Sequence, residues 1–580
     1  MAPQASFLGT GLTAVPIVLI AISACLFFLY RRFLPKPIPG IPYNEKAAKS
    51  LLGDIPALVK ATQETQEIVA WLNSQLHLHN SPIAQVFTKP FSKPWVIVGD
   101  SIEAEDILTR RNHEFAKSTI QTNVFHGLVP KHHITMDSTP EFKQHRQLIQ
   151  DLITPNFLHQ ITAPQIHARF SALISLWEHK MRLADGHPFS VKQDIYNAGM
   201  DTIWSAAFGL DSPVNATNSQ AALLSKLTSV DAPSNLNEPI IFPEAPYPQE
   251  FTAVMELVDT LEVPLKSPVP LFAHWCVRQT RKYKNNFAIK EKVLKAEIDK
   301  RAVLLNGMEK KDFTVRCGLD DILRRELIAA EKQGRQPGFH TRTIYDETLG
   351  YVVGGSETTG TAINWAMKFF AWYPNIQKKL RPALREAFTQ ALKEGRNPSA
   401  QEITKMAIPY LDAVQEEIFR HSLTEAASFR RTLQEVEILG HRIPKGVDVW
   451  MMGCGPGYLE PSFDIPDSLR SPTTLASKSK IGRWDPKDIR DFKPERWLVH
   501  DGNGNVSFNP QAGPHLTFSL GPRGCWGRRM AYLEMRIVLV LIIWNFQMLD
   551  VPEELTGMEA IDKIAHQPQK TYVRLAKAGY

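Results

Sequence analysis

Cysteines are few in this 580-residue chain, lying at 25, 276, 317, 454 and 525. The set is odd in number and has no Cys-x-x-Cys pair, so it suggests neither a disulfide framework nor a zinc site. Such usage fits a reducing compartment, where a single thiol can be kept for chemistry. Cys525 is the candidate, because it sits in Phe518-Ser519-Leu520-Gly521-Pro522-Arg523-Gly524-Cys525-Trp526-Gly527. Gly521 and Gly524 allow a tight turn whose amides can point at the sulfur. Amide donors and a nearby positive charge are what hold a sulfur as thiolate. A buried structural cysteine in a glycine-rich turn is the plainer reading. Against it, chance would produce F-x-x-G-x-R-x-C-x-G on the order of 10⁻⁴ times in a chain this long.

Two further groups could do chemistry. Gly354-Gly355-Ser356-Glu357-Thr358-Thr359 lies inside a long helical pattern, where each glycine costs ~1 kcal/mol relative to alanine. Either the helix packs there against a close neighbour, or it widens locally at a reaction site. Glu357 and Thr358 would then form an acid–alcohol pair able to relay protons. Glu417 and Arg420, at i and i+3, share a helix face and by default form a solvated pair worth ~0.3–0.5 kcal/mol.

Taken together, the Cys525 segment, the Glu417–Arg420 helix and Phe492-Lys493-Pro494-Glu495-Arg496-Trp497 resemble the cytochrome P-450 family, from the first residues to the last helix. The resemblance implies a mainly α fold with small β-sheets and a haem b whose iron is ligated by the Cys525 thiolate. A thiolate ligand donates electron density that favours O–O cleavage. It further implies that Phe518 shields the sulfur and that Gly521 and Gly527 admit the loop and the next helix close to the porphyrin. Arg523 would bind a propionate, with Arg430 as second partner and Arg431 as its alternative. Glu417, Arg420 and Arg496 would form a buried triad behind the loop. Thr358 and Glu357 would deliver protons to bound oxygen. Phe142 stands where the family has a tryptophan, so Arg146 and His145 would carry that propionate contact. No other histidine is spaced as a metal site.

The activity so implied is monooxygenation of an apolar small molecule, with electrons from NADPH through a diflavin reductase and cytochrome b5 as an additional donor. The pattern looks most like fungal members of secondary metabolism. A P-450-fold isomerase or dehydratase and a housekeeping sterol or fatty-acid hydroxylase are the alternatives, and a haem sensor or electron carrier is a third class. Intact Thr358 favours oxygen activation.

These residues need elements to position them. Thr343 to Tyr373 is the longest helical pattern, ended by Pro374; Thr404 to Arg420 and the stretch after Cys525 through Ile542 are others. Trp95 to Val98 reads as a strand, and Val436 to Pro444 as a small hairpin. Asp231–Pro248 and Pro461–Lys480 read as loops, the second as an insertion relative to the family. Loops near His113–Met136, Asp231–Pro248 and Ser422–Phe429 are expected to set specificity.

Residues 1–34 read as a membrane anchor, with a transmembrane helix over about 12–30, and 35–42 as a proline-rich hinge. Residues 43–580 read as the catalytic domain. Leu12 to Tyr30 is uncharged and, at ~1.5 Å per residue, nearly spans a ~30 Å hydrocarbon core. Arg31 and Arg32 follow, which puts the domain on the cytosolic side of the endoplasmic reticulum membrane. The sequons at Asn215 and Asn505 would then stay unglycosylated. A formal charge of +6, without basic runs interleaved with aromatics, excludes a nucleic-acid partner.

Overall fold

The structure is a computed structural model that describes residues 11–267, 269–307 and 313–579, with 11–17, 306 and 307 described by backbone alone. Helices predominate and the sheets are small, as expected. Helix α1 (Gly11–Phe33) carries Arg31 and Arg32 in its last turn, and its described side chains from Val18 onward are exposed. Residues 1–10 of the expected anchor lie outside the described residues. Among the described residues no helix is long and apolar enough to cross a membrane.

The proline-rich segment 35–42 lies against the domain. Ile38 and Ile41 are buried, and the Gln85 side chain accepts from the Ile38 amide at 2.8 Å and donates to both their carbonyls at 2.9 and 2.8 Å. A buried glutamine that satisfies three backbone groups ties the segment to the domain.

Strands β1 (Ile83–Val86), β2 (Trp95–Val98), β3 (Phe115–Lys117), β4 (Ala427–Thr432) and β5 (Asp448–Met452) form one sheet in the order β1-β2-β5-β4-β3. Only β2 and β5 run parallel, with Trp95 opposite Asp448. Residues 436–438 and 441–443 form the expected hairpin. The β3–β4 register sets Lys117 opposite Arg430, and directly opposed residues share a face. That pairing brings two cations together across three hundred residues of chain.

Helix α2 (Ser101–Thr109) follows β2 and is capped by Asp100, whose carboxylate accepts from the Glu103 amide at 2.7 Å. Helices α3 (Pro140–Ile149), α4 (Lys192–Phe208) and α5 (Arg342–Trp372) lead to the centre of the fold. The Thr341 hydroxyl caps α5, and Pro374 opens the next helix, so the boundaries lie within a residue of those read from sequence. The Thr404–Arg420 helix instead splits into 400–405 and α6 (Pro409–Ser422). Pro409 forces Ile408 out of helical geometry, to φ −133° and ψ 91°, and then serves as the first residue of α6. The 461–480 stretch is not wholly loop, since α7 (Pro472–Ser477) forms within it. Helix α8 (Arg528–Asn545) follows Cys525, with Ile537 to Ile543 almost fully buried.

Candidate functional site

The glycines of α5 divide between the two readings offered by the sequence. A β-carbon on Gly355 would lie 2.5 Å from Ile203, and one on Gly360 would lie 2.7 Å from Tyr196, so these two let α4 and α5 approach closely. Gly354 is different. Its β-carbon would meet nothing within 4 Å, and Gly354 is exposed although Tyr351 to Val353 before it are buried. An exposed glycine in a helix at the centre of the fold marks an internal cleft.

The helix does not widen there. Residues 342–372 are α-helical throughout, and the Thr358 hydroxyl donates to the Gly354 carbonyl at 2.8 Å. Glu357 points elsewhere, to a hairpin formed by residues 560–562 and 566–568, where the Gln567 amide donates to its carboxylate. Burial pushes the Glu357 carboxyl up to about 7, against the pull of Lys563. No hydrogen bond joins the Glu357 and Thr358 side chains among the described residues.

Cys525 opens the second side of the site. Its amide donates to the Phe518 carbonyl at 2.8 Å, closing the turn, and the backbone amides of Gly527 and Arg528 lie near enough to the sulfur to favour its thiolate. Cys525 is exposed, yet desolvation by surrounding atoms pushes its thiol up to about 11. Both hold for a side chain that faces an internal cleft, and a bound metal ion would deprotonate such a thiol outright. Phe518 packs edge-on against Phe419 of α6 at 4.9 Å, and the Thr517 hydroxyl donates to the Phe419 carbonyl at 2.7 Å. Gly521 has φ +71°, and a β-carbon on it would lie 2.0 Å from the Leu108 carbonyl at the end of α2. Gly527 precedes α8, with its own β-carbon position 3.9 Å from the Cys525 sulfur.

Beside the loop lies an excess of positive charge. Arg430 and Lys117 are buried, Arg523 and Arg146 half-buried. Desolvation, together with neighbouring positive charge, lowers the pKa of three of them: Lys117 faces Arg523 and Arg430, Arg430 faces Arg523, and Arg523 faces Arg146. Glu425 and Asp137 are the carboxylates that oppose this. Arg430 donates to the Phe429 carbonyl at 2.9 Å and Arg523 to that of Met136 at 2.6 Å. One further guanidinium nitrogen on each, Nη2 of Arg430 and Nη1 of Arg523, is buried without a partner. Unpaired buried donors on mutually repelling cations fit an anionic group, so these residues would suit the propionates of a haem. Arg431, the alternative to Arg430, is exposed on the other face of β4. Phe142 lies under the Arg523 guanidinium at 4.2 Å and the Arg146 guanidinium at 5.7 Å, so its ring face orients both cations.

His145 is occupied differently from its expected role. Its Nδ1 lies 2.8 Å from a Glu347 carboxylate oxygen, and Glu347 also receives the His133 amide and His133 Nδ1, each at 2.8 Å. His132 Nε2 is 3.4 Å away. The histidines hold Glu347 down to about 2, below the usual carboxylate range. His132, His133 and Glu347 thus stand within reach of one cation, but the donors already fill the carboxylate. Sequence reasoning missed Glu347 and Lys117, because their partners are brought in by α3, α5 and the sheet from remote parts of the chain.

The triad behind the loop is assembled as implied. Glu417 accepts from Arg420 at 2.9 and 2.8 Å, from Arg496 at 3.0 Å, and from the Lys493 amide and Trp497 indole at 2.8 Å each. These donors hold the carboxyl well below its usual range although it is fully buried. Arg420 continues to the carbonyls of Tyr458 and Ile489 at 3.0 and 2.8 Å. Trp484 lies 5.3 Å from both guanidiniums.

Comparison with known proteins gives a consistent result. The profile of the family described as Cytochrome P450 matches residues 55–469 and 487–575. A cytochrome P450 monooxygenase of Pestalotiopsis microspora, GME11363, is 36% identical over 573 residues, covering 98% of this chain and 99% of the relative. The monooxygenase TRI13 of Fusarium sporotrichioides is 34% identical over 95% of this chain and 97% of its own length. The monooxygenase xilC of Penicillium rubens is 36% identical over 96% and 95%. Among solved structures, a cytochrome P450 named CYP102L1 superposes with TM-score 0.65 over 94% of this chain and 100% of its own, at 18% identity, a likeness of fold.

Proposed function

This chain belongs to the cytochrome P450 family and is a monooxygenase, and on that premise we propose that it oxidises an apolar small molecule of fungal secondary metabolism, with Cys525 as the residue that would hold the iron of haem b. The observation that carries the site assignment is the Cys525 loop itself. Two backbone amides lie near the sulfur, the sulfur faces a cleft, and buried guanidinium nitrogens without partners lie alongside. When bound, the haem supplies binding and activation of dioxygen.

The chain's own residues then do the following. Arg430, Arg523, Arg146 and Lys117 hold the propionates and fix the ring's orientation. Phe518 and the triad keep the loop from moving. Thr358 presents a hydroxyl beside Gly354, whose carbonyl accepts from it, and Glu357, titrating near neutrality, holds a proton at its carboxyl beside Gln567. His145 braces α3 through its Nδ1 contact with Glu347.

Electrons come from NADPH through a diflavin reductase, with cytochrome b5 as an additional donor. The exposed Arg528 and Arg529 beside the Cys525 loop support docking of an acidic surface there. The exposed apolar side chains of α1, followed by Arg31 and Arg32, support a single-pass anchor in the endoplasmic reticulum membrane with the domain in the cytosol.

The test is a comparison of metabolites between the source organism and a strain lacking this gene. The expected result is a compound that accumulates one oxygen lighter than the missing product. Accumulation of an equal-mass isomer would overturn oxygen insertion in favour of a rearranging enzyme.

A further inference from the structure

Residues 470–486 are the internal stretch that the family profile passes over, yet they are not a surface appendage. Arg470, Thr474, Ser477 and Trp484 are buried. The Arg470 guanidinium meets the Asp100 carboxylate in a bidentate pair at 2.8 and 3.0 Å, with both side chains 4% exposed. Next to it, the Thr473 and Ser471 hydroxyls donate to Asp106 at 2.7 and 3.2 Å, and Thr474 donates to Glu103 at 3.0 Å. Asp100, Glu103 and Asp106 are spaced three apart, so they form one acidic face of α2. The segment covers that face with a guanidinium and three hydroxyls.

The opposite end of α2 touches the thiolate loop. The Leu108 carbonyl stands where Gly521 has no side chain, and Leu520 packs against the core cluster to which Ile107, Leu108 and Leu516 belong. The far end of the same segment places Trp484 over Arg420 and Arg496, with its indole N–H on the Pro514 carbonyl at 2.8 Å. One stretch therefore grips both supports of the Cys525 loop, α2 on one side and the triad on the other.

We propose that residues 470–474 are a positioning strap, which sets where the Cys525 loop stands by holding the acidic face of α2. The inference rests on Cys525 being the haem ligand. Bidentate pairing and several converging hydroxyls specify one position of α2, whereas apolar packing alone would allow it to slide. A shift of α2 would press the Leu108 carbonyl on Gly521, and the sulfur lies four residues further on.

The experiment uses the full haem-loaded chain and reads the reduced carbon monoxide spectrum and the rate of haem transfer to an acceptor apoprotein. The double variant Thr473→Val/Thr474→Val is expected to raise the thiol-ligated share of the spectrum and to lose haem about tenfold faster, as for groups that orient metal ligands. Arg470→Ala should do the same and Arg470→Lys should restore part of the thiolate signal. Ser399→Ala, which breaks a capping box on the remote 400–405 helix, serves as the control for a mere loss of stability. If the double variant unfolds earlier, as the control does, but keeps the parent spectrum and haem-loss rate, the strap is overturned. The double variant decides this even if Arg470→Ala fails to fold. A parent chain with no thiolate signal would overturn the Cys525 assignment itself.

Discussion

Glu357 shows what burial does to a single side chain. With its carboxyl raised from 4.5 to about 7, it stays protonated through acid pH and gives up its proton as pH rises through neutrality. Coupling of NADPH use to product should therefore fall above about pH 7, and Glu357→Gln should flatten that profile; product per NADPH measured across pH checks it. The same raised pKa means that folding stability declines as pH rises from about 4.5 to 7, since the folded state binds the extra proton. Arg430 and Lys117 make a second case. Removing either from an assembly of repelling cations should relieve the empty protein but weaken its hold on a dianionic group. Arg430→Ala is expected to speed haem loss about tenfold while leaving thermal unfolding of the haem-free chain unchanged or improved. Glu417→Ala is the opposite case. It leaves the buried Arg420 guanidinium without a carboxylate and Arg496 with Asp488 alone, a loss of about 3–5 kcal/mol, and should abolish haem incorporation. Soluble, haem-loaded variant protein would count against that role.

Helix α5 is where one element serves two purposes. Its glycines could be read from sequence as either packing or cleft, and the fold assigns Gly355 and Gly360 to the first and Gly354 to the second. Three single alanine variants separate these roles. Gly355→Ala and Gly360→Ala force a methyl group against Ile203 and Tyr196 and should cost about 1–3 kcal/mol, read as a lower unfolding temperature. Gly354→Ala meets no atom and gains helix propensity, so it should unfold no earlier. Its effect should appear instead as an altered spectral response to bound substrate. Helix α6 carries a different lesson. Its Glu and Arg at i and i+3 look like a surface pair, and nothing in that spacing indicates burial. Only the resemblance to the family pointed there, and only the 488–497 segment folding over the helix makes the pair a buried hub.

At the scale of the molecule, the chain divides into an exposed apolar N-terminal helix and a domain to which the proline-rich segment is firmly tied by Gln85. If α1 anchors the protein, replacing Leu26, Phe27 and Phe28 by serines should move it from the membrane pellet to the supernatant on cell fractionation, with the thiolate spectrum kept. Retention in the pellet would point to other apolar surfaces, such as the exposed Phe272 and Trp275. Much of this molecule was legible in the sequence alone: the tight glycine turn before Cys525, the long helix with its proline stop and the largely helical class. These features are local, governed by residues a few positions apart whose spacing matches a turn or a helix repeat. The tertiary structure decided whatever depends on register and burial. It buried Arg430 and exposed Arg431 through strand alternation, set Lys117 opposite Arg430 through the β3–β4 pairing, and turned His145 Nδ1 toward Glu347. It also seated the 470–474 stretch on α2. Each of those choices joins residues far apart in the chain, and contact between them is fixed by how elements pack, which the order of residues along one segment does not contain.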